Sequence, residues 1–147
     1  MTSFGDLLGN ADKEKLFKNS LNKGDVFLKQ FEAIDHLKFF IVVGLCDAKL
    51  FLCSVYINSN IHPSIMSRQH LLELQVPIKK SNNHFLKHDS FACCSTHIPM
   101  ESELVGNWVS DKSCKVIGAV HPDDLINITK ALIASDLLTE EEIELYF

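Results

Sequence analysis

At 147 residues, 46% apolar and 22% charged, the chain has the size and composition of one globular domain. Such a domain buries about two-thirds of its unfolded surface, so it needs no disulfide or metal to be stable, and nothing in it resembles a disordered segment. Five of the 19 acidic residues fall from Asp136 onward, where there is no Lys or Arg, leaving fourteen against 14 basic residues in a neutral body. That balance argues against sequence-independent coating of nucleic acid.

The opening Met1-Thr2-Ser3-Phe4-Gly5-Asp6 has no basic residues before an apolar stretch, unlike a signal peptide. Residues Asp12 to Ser20 carry Leu16 and Phe17 among Lys and Glu, a short helix, and Asn22-Lys23-Gly24-Asp25 is a turn. Val26 to Phe31 reads as a strand, Glu32 to Lys38 as a polar loop, and Phe39 to Val43 as a strand covered on both faces. The apolar run from Phe39 to Cys46 is too short to span a bilayer, so no membrane partner is expected. Leu50 to Ile57, after the turn at Asp47-Ala48-Lys49, is its hairpin partner. Asn58 to His70 reads as an exposed loop, Leu72 to Val76 as a strand with one wet face, and Ser90 to Cys94 as another strand. Leu104 to Val109 and Cys114 to Ile117 are shorter strand candidates. His121-Pro122-Asp123-Asp124 opens a helix, with Leu125, Ile128, Leu132 and Ser135 on one stripe. Thr139 with Glu142 is a capping box for a last short turn.

Two clusters carry chemistry. Val76 to His88 holds Lys79, Lys80, Lys87, His84 and His88 with no carboxylate, a basic patch suited to phosphate. Lys87-His88-Asp89-Ser90 brings a base, a carboxylate and a hydroxyl together, although neighbours in sequence cannot align as a triad; the plainer interpretation is a polar turn in which Asp89 or Ser90 bonds the local backbone. His36 and Lys38 form a second polar group at a strand mouth. His84, His88, Cys93, Cys94 and His97 are zinc-ligand types without ligand spacing, and strand alternation sends Cys93 and Cys94 to opposite faces. The five cysteines, odd in number and without an export signal, are expected as reduced thiols in the cytoplasm, with no metal and no cofactor.

The order of these segments resembles the PemK/MazF-like growth-inhibitor toxins. Lys23-Gly24-Asp25-Val26-Phe27-Leu28 followed by Phe40-Ile41-Val42-Val43 is similar to the family's opening strands. Leu74-Gln75-Val76-Pro77-Ile78, His88-Asp89-Ser90-Phe91 and Val116-Ile117-Gly118 are similar to its later ones, over about residues 23 to 138. The resemblance implies a mainly β (α+β) fold, an SH3-like small β-barrel with a C-terminal helix and a short N-terminal helix. The single domain then divides into a helical lead-in (1–22), a barrel (23–118) and a C-terminal helix with acidic tail (119–147). It also implies a homodimer and a metal-independent endoribonuclease neutralised by an antitoxin peptide. The family's Arg-Pro is replaced here by Lys38-Phe39, its Thr after Val-Pro-Ile by Lys79, and the one arginine, Arg68, lies in an unmatched loop. Lysine is a point charge and lacks arginine's two-pronged fit to phosphate. The catalytic candidates are therefore His36, Lys38, His88 and Asp89, with Lys79, Lys80 and Lys87 as the RNA-binding set. A non-catalytic module of the same fold that binds protein or nucleic acid is the alternative.

Overall fold

The run Phe39 to Val43 contains no polar residue because helices cover both faces of its strand. In the computed structural model, which describes residues 10–31 and 36–147, the elements begin with helix α1 (Asn10–Ser20) and strands β1 (Asp25–Gln30), β2 (Leu37–Leu45) and β3 (Phe51–Asn58). Short helices α2 (Pro63–Met66) and α3 (Gln69–Leu72) lead to β4 (Gln75–Ile78), β5 (Ser90–Cys93) and β6 (Ile98–Glu101). Helix α4 (Ser102–Ser110), strand β7 (Cys114–Ala119) and helices α5 (Pro122–Ala134) and α6 (Glu140–Tyr146) complete the chain. No helix among the described residues is long and apolar enough to cross a membrane.

The seven strands form one antiparallel sheet, six of them in the order β4-β5-β3-β2-β1-β7 and β6 pairing with β3 off this path. Its length forces β3 to share its far edge: Phe51 to Ser54 pairs with β6, and Ile57 and Asn58 pair with β5. The outer strands β4 and β7 are not paired with each other among the described residues, so the ladder is an open sheet in an α+β fold. Pro77 sits on the edge strand β4, where its missing N–H breaks no ladder.

Alternation along the strands separates two apolar cores. Ile41, Val43, Val55 and Ile57 face α5 and α6, meeting Ile128, Leu132, Leu138 and Tyr146. Phe27, Phe40, Val42 and Leu52 face the other way, packing with Leu21 of the α1 end and Val105 of α4. Phe27 and Phe40 stack with centroids 5.3 Å apart, an offset pair inside this second core.

Four sequence expectations change. Leu104 to Val109 is helical, because Val105, Trp108 and Val109 at i, i+3 and i+4 turn one face to the aromatic core. The 58–70 stretch contains α2, whose N-cap His62 accepts the Ser64 N–H through Nδ1 at 3.1 Å, and the start of α3. Leu72 therefore ends a helix, and the strand there starts at Gln75. The polar loop expected from Glu32 lies outside the described residues through Asp35, and Leu37 and Lys38 already belong to β2.

The C-terminal segment is docked on the sheet. Thr139 and Glu142 form the reciprocal capping box, Glu142 N–H donating to Thr139 Oγ1 and Thr139 N–H to Glu142 Oε1, both at 3.1 Å. Glu142 Oε2 also meets His97 Nε2 at 3.0 Å. At the end of α6 the chain lies on Gly44, which follows a bulge where the β2–β3 register steps from Val42↔Ser54 to Gly44↔Cys53. A Cβ on Gly44 would stand 2.6 Å from Tyr146 Cβ and 3.3 Å from Tyr146 O, so only glycine admits this contact.

Gly44→Ala should lower stability by about 1–3 kcal/mol through this overpacking, measured by urea unfolding, with the Tyr146 near-ultraviolet signal changed. The Thr139 N–H, aided by His97 and opposed by partial burial, holds the Glu142 carboxyl below its ordinary value. A depressed carboxylate stabilises the fold above its unfolded value and loses that contribution as pH falls through the folded one. The stability gap between wild type and Glu142→Gln should therefore be constant above about pH 5 and narrow as pH falls below the free-glutamate value of about 4.3.

Candidate functional site

The segment between β4 and β5 has no regular structure, yet hydrogen bonds hold it at both ends. At its base, Lys80 N–H donates to Asp89 Oδ1 at 2.9 Å and Ser90 Oγ donates to His88 O at 3.0 Å. At its centre is Asn83, 2% exposed. Its Nδ2 donates to Lys79 O at 3.0 Å and to Asp124 Oδ2 at 2.8 Å, and its Oδ1 accepts the His121 N–H at 2.9 Å. One buried amide thus closes the turn and ties it to the first turn of α5. Buried amides hold position when every donor and acceptor is matched.

The next two residues set the location of the site. Phe85 packs edge-on against Phe39, with centroids 5.3 Å apart, and Leu86 is buried in the α5-side core. Lys87 and His88 are thereby set beside the start of β2. There a cleft of about 310 Å³ has an apolar floor of Leu28, Phe39, Ile57 and Leu86, with His36, Lys87, His88 and Ser90 around it. His36 and His88 are exposed at its mouth. Two imidazoles and an ammonium above an apolar floor combine groups able to transfer protons with a positive charge.

The other expected residues fall elsewhere. Lys38 borders the cleft, but its Nζ donates to Asn58 Oδ1, its cross-strand partner, and sits 5.9 Å from the Tyr56 ring centroid. Alternation turns this side chain to the face opposite Phe39, and burial pushes its ammonium pKa down. Asp89 is committed to the Lys80 backbone, and Lys79 and Lys80 are exposed on the turn outside the cleft lining. Asn83 carries no sequence signal of its role: in Ser81-Asn82-Asn83 nothing local marks which amide is buried.

The soft-ligand cluster is dispersed. Cys94 lies in the α5-side core with Sγ 3.9 Å from Ile128 O, Cys93 Sγ lies 3.2 Å from Ser95 Oγ, and His97 is held by Glu142. Burial pushes the thiols of Cys53 and Cys94 up to about 12 and that of Cys114 to about 11, far from the reactive range. Among the described residues no three His, Cys, Asp or Glu side chains are grouped to hold a metal.

Compared with protein-family models and with curated proteins, the chain matches none.

Asn83→Ala should cost about 1–3 kcal/mol, because it leaves buried partners unmatched. Hydrogen exchange of the 79–90 amides, expected to accelerate more than that of β2, separates loss of this tie from general unfolding.

Proposed function

We propose that the protein is a PemK/MazF-like toxin that binds single-stranded RNA and cleaves it without metal at the cleft beside β2. The observation that carries this reading is the convergence of His36, Lys87 and His88, from two distant segments, on one apolar-floored cleft. One histidine takes the proton of the ribose 2′-hydroxyl as it attacks phosphorus. The other gives a proton to the departing 5′-oxygen, leaving a cyclic phosphate. Lys87 supplies positive charge to the pentavalent phosphate. Lys79 and Lys80 attract the RNA backbone toward the mouth. The family's homodimer and antitoxin peptide belong to the same proposal.

The second reading, a binding module without catalysis, is favoured by one observation: Lys38 and Asp89 are both engaged in holding the fold.

Fluorescent single-stranded RNA, followed for binding and cleavage, separates the two. His88→Ala or His36→Ala should lower cleavage by about 10²–10⁴-fold with little change in binding, the mark of a proton-transfer role. Lys79→Ala/Lys80→Ala should weaken binding and flatten its salt dependence by about 0.7 per lost phosphate contact. Binding without cleavage supports the module, and absence of both at low salt rejects either form of the RNA reading.

A further inference from the structure

Strands β1 and β2 pair Lys29 with Lys38, so two ammonium side chains stand opposite each other on the face of the sheet away from α5 and α6. Like charges at directly opposed positions destabilise a ladder. Among the described residues neither lysine forms an ion pair. Lys29 Nζ lies 3.5 Å from Ser113 Oγ, and Lys38 Nζ donates to Asn58 Oδ1. The carboxylate on this side, Asp111, accepts the Ser113 N–H at 2.8 Å. An ammonium has three donors, so both lysines retain N–H groups for an anion.

Each lysine also lies over aromatic rings. Lys29 Nζ is 4.5 Å from the Trp108 centroid and 5.9 Å from that of Phe31, and Lys38 Nζ is 5.9 Å from that of Tyr56. Phe31 joins the other two rings, with centroids 5.3 Å from Tyr56 and 5.9 Å from Trp108, edge-on to both. The result is a row, Tyr56–Phe31–Trp108, with a cation at each end. All five side chains are half-buried, held by the fold yet in reach of solvent. The row starts at the cleft, because Lys38 lines it and Tyr56 precedes Ile57 of its floor. The apolar core on this face uses the rings, but it has no use for two opposed ammonium groups.

We propose that the Lys29–Lys38 pair and the Tyr56–Phe31–Trp108 row form a second site, which holds a nucleotide of single-stranded RNA beyond the one in the cleft. It rests on the RNA reading of the cleft and extends the track around the start of β2. The phosphate accepts hydrogen bonds from Lys29 and Lys38, which relieves their mutual repulsion. As the ammonium groups turn to the phosphate, the ring faces they covered receive the base. Cations beside aromatic rings select a single strand, since the bases of a duplex are already stacked on each other.

Trp108, the one tryptophan of the chain, reports on this site directly. The full chain is titrated at low salt with a mixed-sequence 2′-O-methyl RNA octamer, which lacks the attacking hydroxyl and stays intact. An abasic octamer with the same phosphates is the control. The octamer should quench Trp108 emission saturably and bind at least about 5-fold more tightly than the abasic chain, the worth of one stacked base. Lys29→Gln should flatten the salt dependence by about 0.7. Tyr56→Leu, which keeps an apolar side chain, should bind about 5-fold more weakly; if it does not fold, the surface variant Lys29→Gln decides. Binding without quenching, equal affinity for the abasic chain, or an unaltered salt dependence in Lys29→Gln would each overturn this site. Cleavage of unmodified RNA that persists in those cases leaves the cleft reading standing, whereas neither binding nor cleavage overturns both.

Discussion

The structure depends on β2 being apolar on both faces. A strand that alternates polar and apolar needs one cover; Phe39 to Val43 needs two, and helices supply both. The α5–α6 pair takes Ile41 and Val43, while α1 and α4 take Phe40 and Val42. Each buried side chain of this size is worth about 1.5–3 kcal/mol. The two-sided packing also explains why Gly44 is needed: the sheet can receive the C-terminal aromatic residues only where it has no side chain of its own.

From that frame the position of the cleft follows. Helix α5 is held against the sheet by Ile128 and Leu132, and its first turn offers Asp124 and the His121 N–H to Asn83. The amide carries the placement into the 79–90 segment, and buried Leu86 carries it to Lys87 and His88. The exposed histidine at the mouth is therefore positioned by buried groups on an element far away in sequence. A functional group on a loop gains precision in this way, from the rigidity of what lies beneath it.

The same frame sorts polar residues by role. Lys38 and Asp89 have the right chemistry for catalysis, but each has a close partner that serves the fold: Asn58 across the ladder and the Lys80 N–H at the base of the turn. His36, Lys87 and His88 line the cleft, as Lys38 does. Across the sheet, Ser102 presents the opposite case, a buried group for which the fold provides no partner.

Sequence alone determined the features whose causes are local. The covered strand, its hairpin partner, the Pro122 helix start and the Thr139–Glu142 capping box are each specified by residues within one or two turns of each other. The helical character of 104–109 was not legible, since six apolar-rich residues fit either period and Trp108 declares its face only against the Phe31 ring, 5.9 Å away. The basic patch was legible as composition, but its division was not: that Lys87 lines the cleft while Lys79 and Lys80 do not depends on the burial of Leu86. Asn83 and Ser102 are ordinary polar residues in sequence. Only tertiary packing makes one a matched anchor and leaves the other unmatched: the Asp124 and His121 partners of Asn83 lie 41 and 38 residues away, and local pattern carries no information about them.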